Sequence, residues 1–285
     1  VAMAIDSTKG KDDASVVQLM VSRGAKCNDD VGASALLRAV TNVHPGVVAA
    51  FLQSDVDPNF LADLNKQPTL VVATRLGGAD ARHVAIVSSL VAHAKTNPNL
   101  PDAGGSGALH HAASALDMAM TTALAACART NMDLFDTNGD TPLLRALARG
   151  AKACLPQVRR LLELRANPNV CNKKTGVFPL TLALAEGVDG ASVTHALLEF
   201  GANPNLLTKP NENVLSLLTA KLGVAGTAMA QDLVQFGARA DDDAGATALL
   251  TAVRLGVPGV PLVRALLEAG AEAGEKESEG GDVKR

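Results

Sequence analysis

Apolar residues recur at helical spacing in a series of stretches: "VVQLMVSR" (16–23), "VVAAFLQS" (47–54), "AIVSSLVAHA" (85–94), "VRRLLELR" (158–165), "VTHALLEF" (193–200), "AQDLVQF" (230–236) and "LVRALLEA" (262–269). Positions three and four apart share one face of a helix, so each stretch predicts an amphipathic helix with one buried side. A shorter helix rich in small residues is predicted ahead of these: "ALLRAV", "TLVVATRLG", "ALHHAASAL", "TPLLRALARG", "PLTLALAEG", "LSLLTAKLG" and "ALLTAVRLG". Most of the shorter helices end at Gly, a natural helix stop. Thr141-Pro142 places a cap candidate before a proline suited to the first helical position. Polar stretches such as "DTNGD" and "NKKTG" join the units, each of which reads turn, helix, loop, helix, turn.

The turn that closes each unit is also spelled repeatedly. The pentads are "GAKCN" from Gly24, "DVDPN" from Asp55, "KTNPN" from Lys95, "RTNMD" from Arg129, "RANPN" from Arg165, "GANPN" from Gly201, "GARAD" from Gly237 and "GAEAG" from Gly270. Successive starts lie 31 to 40 residues apart. Asn, Asp and Pro favour such turns through local hydrogen bonds and a fixed φ. A turn recurring at this period implies one structural unit repeated along the chain.

Composition fits thin stacked layers. The 285 residues are 47% hydrophobic, yet only 2% aromatic, with no Trp and no Tyr. Ala, Leu and Val must fill the core, and small side chains let helices approach closely. Net charge is −3, which gives no global reason to expect nucleic acid or an acidic membrane surface. Cys27, Cys127, Cys154 and Cys171 form no CxxC pair, so thiols in a reducing, cytoplasmic compartment are expected rather than a disulfide framework. No uninterrupted apolar run reaches about 18 residues, so no membrane span is expected. A chain opening with Val1 is expected to be a piece of something longer.

The residues "DTNGDTPLLRALARG" (136–150), "GALHHAA" (107–113) and endings of the "LLEFGANPN" type resemble the ankyrin repeat, whose pattern is T-P-L-H-x-A at a period near 33. The resemblance covers roughly Ser15 to Gly274: seven full repeats preceded by the second helix of a truncated one, ending near 28, 59, 99, 133, 169, 205, 241 and 274. It implies an all-α ankyrin-repeat solenoid of stacked antiparallel helix pairs, with β-hairpin loops projecting near Asn65, Gly104, Asn138, Lys174, Asn211 and Asp243. Residues 1–14 are a flank, 15–274 the repeat domain, and 275–285 a charged tail expected to be disordered. The sequence departs from the pattern in places. Only His110 keeps the first-helix His, which normally ties helix to hairpin. The helix-to-helix loops "GAKACLP", "GVDGAS", "GVAGTA" and "GVPGVP" are longer than the family spacing, and "RLGGADARHV" is longer still.

Candidate chemistry is sparse. His44, His83, His93, His110, His111 and His195 fall on separate units or diverging faces, and no HExxH or phosphate-binding GxxxxGK[ST] occurs. "DDD" at 241–243 lacks the pattern of a Ca²⁺ loop and reads as a solvated hairpin. Cys154 is expected on a loop, with no base beside it. No catalytic residue, cofactor or metal is therefore expected.

The resemblance implies instead a concave face lined by the ends of the first helices. There it places Arg38, Arg75, His111, Arg145, Arg149, Lys221 and Arg254, with Phe60 and Phe135 as aromatic anchors near the hairpins. Basic groups prevail on that face although the chain is acidic overall. The function expected is a non-catalytic protein–protein interaction scaffold, monomeric, binding an extended acidic-hydrophobic segment of another protein, with no nucleic acid and no membrane. Two alternatives stay open at this point: the ankyrin segment of a larger multidomain enzyme, and a structural spacer in a cytoskeletal assembly.

Overall fold

The computed structural model describes residues 14–23, 27, 29–59, 67–78, 80–206 and 213–271, and these are helical with no strand. They fall in two compact units, Val1–Gly176 and Val177–Arg285. In the first unit α1 (Ser15–Ser22) precedes four helix pairs: α2 (Asp30–Thr41) and α3 (Pro45–Leu52), α4 (Thr69–Leu76) and α5 (Ala81–Ala92), α6 (Ala108–Ser114) and α7 (Met118–Ala125), α8 (Pro142–Leu147) and α9 (Ala151–Glu163). Each first helix packs on the first helix of the next pair, and each second helix on the next second helix. Ala39, Ala73, Ala112 and Ala146, one from each first helix, are buried, and their small side chains permit this close stacking. Leu36, Phe51, Ile86, Leu90, Met120, Leu124, Leu143 and Leu161 fill the spaces between layers. Burying each such side chain contributes about 1.5–3 kcal/mol.

The second unit repeats the scheme with α10 (Pro179–Ala185) and α11 (Ala191–Glu199), α12 (Val214–Leu222) and α13 (Thr227–Gln235), α14 (Asp243–Arg254) and α15 (Val260–Glu268). Its long helix-to-helix loops are single 3₁₀ turns, Gly187–Gly190, Gly223–Gly226 and Val257–Gly259. The stretch Val214–Gln235 is long and apolar enough to cross a membrane by composition. Gly223 interrupts it, with φ 51 and ψ −128, between α12 and α13, which pack on each other.

Two expectations need correction. "GAKACLP" is no loop: residues 151–163 form one helix with Pro156 inside it, and Cys154 is buried there. Pro156 is the sixth residue of this helix, past the first turn, so it removes one i→i−4 backbone bond. Nor does a hairpin centre on Asp243. The pentad ends at Asp241, and Asp242 at once caps α14, its carboxylate accepting from the Gly245 N–H at 2.7 Å. The same arrangement opens α2, where Asp29 accepts from the Gly32 N–H at 2.8 Å. A Cβ on Gly32 would sit 2.1 Å from the Cys27 carbonyl oxygen, and one on Gly245 1.9 Å from that of Ala240. "DDVGASALL" and "DDAGATALL" are thus one motif, in which Gly lets a helix start directly against the pentad with no hairpin between. Hairpin turns do occur at Gly104, Asn138 and Lys174. The sites near Asn65 and Asn211, the flank 1–13 and the tail lie outside the described residues.

The repeated pentad performs two jobs. Its third residue makes the turn: Asp57, Asn97, Asn131, Asn167 and Asn203 each accept from the backbone N–H two residues on, at 2.9–3.0 Å. Its last residue holds the next layer. Asn59 donates to the Lys95 carbonyl and accepts from the Asn97 N–H, at 2.6 and 2.7 Å. Asn99 does the same to Arg129 and Asn131, and Asn205 to Gly237 and Arg239. Asp133 departs from this ladder. Its carboxylate accepts from the Asn167 N–H at 2.9 Å but has no N–H to donate, and burial pushes its carboxyl above the usual range against that hydrogen bond. Asp133→Asn should therefore stabilise the protein by about 1 kcal/mol. Urea unfolding followed by far-UV circular dichroism checks this, and a lower midpoint would refute it.

Arg165 opens its pentad with φ 69, where Gly201, Gly237 and Gly270 stand with φ 85, 86 and 92. A side chain in this left-handed region costs roughly 1–2 kcal/mol, and glycine's extra chain entropy offsets part of that. Arg165 is exposed, so little packing is lost on truncation. Arg165→Gly should raise the unfolding midpoint by an amount equivalent to about 0.5–1 kcal/mol; a decrease would show that the arginine makes a compensating contact.

Candidate functional site

The hairpin turns determine which basic side chains are available. In the repeat closing at α6, Asp102 accepts from the Gly104 and Ser106 N–H groups at 2.9 and 3.0 Å. Its other oxygen meets His111 Nε2 at 2.8 Å. One repeat later Asp136 accepts from the Asn138 and Asp140 N–H groups at 2.8 and 3.0 Å, and Arg145 Nε donates to Asp136 Oδ2 at 2.6 Å. The Asp136 side chain is fully buried. His111 and Arg145, each nine residues after its aspartate, are thus occupied in holding hairpins to helices. In the next repeat Asn172 takes the aspartate's place, accepting from the Lys174 and Thr175 N–H groups, and Thr181 stands where the basic residue would be.

Burial would raise the Asp136 carboxyl, but the Asp140 amide, the Arg145 side chain and the Asn138 amide outweigh it and hold it below the usual carboxylate range. Asp102 is held low in the same way, burial being overcome by the Ser106 amide and His111.

The other expected residues are distributed as follows. Arg38, Arg75, Arg149, Lys221 and Arg254 are exposed at or just beyond the C-terminal ends of first helices. Arg75 Nη1 donates to Gln67 at 3.0 Å, and Lys221 to the Ala185 carbonyl at 3.2 Å. Phe135 is exposed, with Lys173 Nζ 5.6 Å from its ring centre. Phe60 lies outside the described residues.

In the first unit, Arg75, His111 and Arg149, from three successive repeats, line one hollow of about 410 Å³. Gly77, Gly78, Ser114, Ala115 and Asp117 complete much of its wall. A second hollow of about 650 Å³ adjoins it through Gly78, Ala115 and Asp117 and is lined further by Ala81, Val84, Leu116 and Met118. Sequence reasoning found the basic residues but missed this second hollow. Its signal was the Gly77-Gly78 pair after α4, of which Gly78 lines both hollows. Among the described residues, no group of three or more His, Cys, Asp or Glu is placed to hold a metal ion.

No family model and no curated protein matches the chain. Solved structures do match. A crystal structure of an ankyrin repeat domain from Acinetobacter baumannii AYE aligns over 70% of this chain and 98% of its own, with TM-score 0.58 and 22% identity. This chain has the ankyrin-repeat fold. The ankyrin repeat domain of Bcl-3, a member of the IkappaB protein family, covers 76% of this chain and 92% of its own, with TM-score 0.62 and 21% identity. A third ankyrin repeat protein covers 69% and 97%, with TM-score 0.56 and 19% identity. Within the ankyrin-repeat fold, His110 links helix to hairpin. Its Nδ1 lies 3.2 Å from the Gly107 N–H that it accepts, and its Nε2 3.1 Å from the Asp140 carbonyl, which assigns the proton to Nε2. Burial holds His110 below the usual histidine range, so the ring is neutral near pH 7. The other repeats lack this His: Val71 and Leu144 are buried apolar residues at the position, and Thr181 is a buried hydroxyl that donates to the Phe178 carbonyl at 2.8 Å.

Proposed function

We propose that the protein is a non-catalytic protein–protein interaction scaffold that binds an extended partner segment on the face formed by its first helices, the concave face of the ankyrin resemblance. The observation that carries this reading is the hollow shared by Arg75, His111 and Arg149, an open, positively lined surface on a chain whose net charge is −3. Charge of this kind raises association rates with an acidic segment, while nearby apolar groups supply buried area. A stack of repeats offers such extended surfaces rather than one deep pocket. On this reading the protein works in a reducing compartment, where its four cysteines stay free thiols.

The test is photo-crosslinking from defined positions in the full chain. A crosslinking residue replaces Arg38, Arg149 or Arg254 in turn, with exposed Arg264 on a second helix as the comparison. A protein captured from first-helix positions and not from Arg264 supports the reading. Capture at Arg264 alone moves the binding face, and turnover by the isolated chain with no protein captured overturns the scaffold.

A further inference from the structure

We propose that the two adjoining hollows of the first unit form one bipartite groove, which takes a partner segment carrying a single acidic side chain close to a large apolar one. This rests on the scaffold reading above and adds the partner's chemistry and path: the segment leaves the first-helix face and turns over the helix-loop edge between α4–α5 and α6–α7.

The polar half presents two arginines from different repeats. Arg75 is exposed and held by Gln67 on one side only, and Arg149 is exposed just after α8. His111 completes this half while its Nε2 is committed to Asp102. The acidic group in the wall, Asp117, has one oxygen occupied by the Met120 N–H at 2.9 Å. Two cations beside one fixed carboxylate suit a lone carboxylate and disfavour a polyanion such as nucleic acid.

The apolar half begins where the polar half ends, since Gly78, Ala115 and Asp117 wall both. Gly78 contributes no side chain, and a Cβ built there meets nothing within 4 Å, so the passage between the halves is open. Beyond it Ala81, Val84, Leu116 and Met118 form the wall, and Met118 is 46% exposed. Met adapts its shape to irregular apolar partners. Because the two halves share the walls Gly78, Ala115 and Asp117, the acidic and apolar side chains should lie close together along the segment.

The experiment selects dodecamer peptides from a random display library on the full chain, then measures their binding by fluorescence polarisation. The variants are Arg149→Glu, Met118→Asp and, outside the groove, Arg264→Glu. Arg149 and Met118 are exposed, and an acid in the first turn of α7 suits the helix dipole, so both variants should fold; circular dichroism verifies this. The expected result is peptides sharing an Asp or Glu near a Leu, Ile, Met or Phe. Arg149→Glu should weaken them about tenfold or more and flatten their salt dependence. Met118→Asp should weaken them by a similar factor, a loss that persists at high salt because apolar contact is removed, and Arg264→Glu should change nothing. Peptides that bind but tolerate either groove variant overturn the bipartite groove and leave the scaffold standing. Failure to select any peptide overturns both.

Discussion

Arg145→Glu should destabilise the protein by about 3 kcal/mol, although a sequence reading places this arginine on a free surface. Its guanidinium closes on Asp136, whose side chain is fully buried while that of Arg145 is 29% exposed. Removing one partner of a buried pair leaves the other charge uncompensated, which costs about 3–5 kcal/mol, and the partial exposure of Arg145 argues for the lower end. Reversal adds a carboxylate beside two others, since Arg145 Nε also lies 3.6 Å from Asp140 Oδ2. Asp140 in turn accepts from Asn172 Nδ2 at 2.6 Å, and its carbonyl holds His110, so the damage should spread to neighbouring hairpins. With no Trp or Tyr in the chain, the readouts are far-UV circular dichroism in urea and hydrogen exchange at the Asn138 and Asp140 amides. A loss under about 0.5 kcal/mol would mean the pair contributes no more than an exposed one.

The same pair sets a pH dependence. Asp102 and Asp136 have folded pKa values below the unfolded value, so their stabilisation is complete above it and lost as pH falls through the folded value. His110 is also lowered, but as a base that must stay neutral. Its contribution is complete above the unfolded histidine pKa, about 6.5, and is lost as pH falls from there toward the folded value. Acid should therefore weaken the fold first in the histidine range and again in the carboxylate range. Arg145→Glu should shrink the second step more than the first.

Gly139→Val should cost about 3 kcal/mol. Gly139 has φ +81, and a Cβ there would lie 2.9 Å from the Lys174 nitrogen and 3.1 Å from that of Lys173. The Lys173 N–H donates to the Gly139 carbonyl at 2.8 Å, so the next hairpin's backbone cannot withdraw without losing that bond. The left-handed conformation alone accounts for roughly 1–2 kcal/mol, more for a β-branched residue, and the collision supplies the rest. Gly150→Ala is the control. Its φ is +91, but a Cβ there meets nothing within 4 Å, so only the backbone penalty of about 1 kcal/mol should appear. Equal losses at the two positions would show that conformation, not the approach of the neighbouring hairpin, demands glycine at 139.

Much of the fold was legible along the chain because its signals act locally. The pentad Asx residues bond an N–H two positions on, and Thr141 Oγ1 caps the Leu144 N–H at 3.3 Å, so turn and helix start could be read from a few letters. Apolar spacing gave each helix its buried face before any neighbour was known. The doubled "DDxGA" motif was equally local and was overlooked, because a helix start with no hairpin differs from the other repeats only in what is missing. The candidate site was another matter. Arg145 and Arg149 stand four residues apart on the same helix end, yet one is held against a buried aspartate and the other is exposed beside a hollow. The aspartate reaches Arg145 only because the hairpin folds back through nine residues, a path the letters do not specify. The groove likewise exists only between repeats, where loops distant in sequence leave space that no single stretch encodes. Short-range hydrogen bonds and periodicity were determined by the sequence alone; the pairing of charges and the shape of the space between layers were decided by how the layers stack.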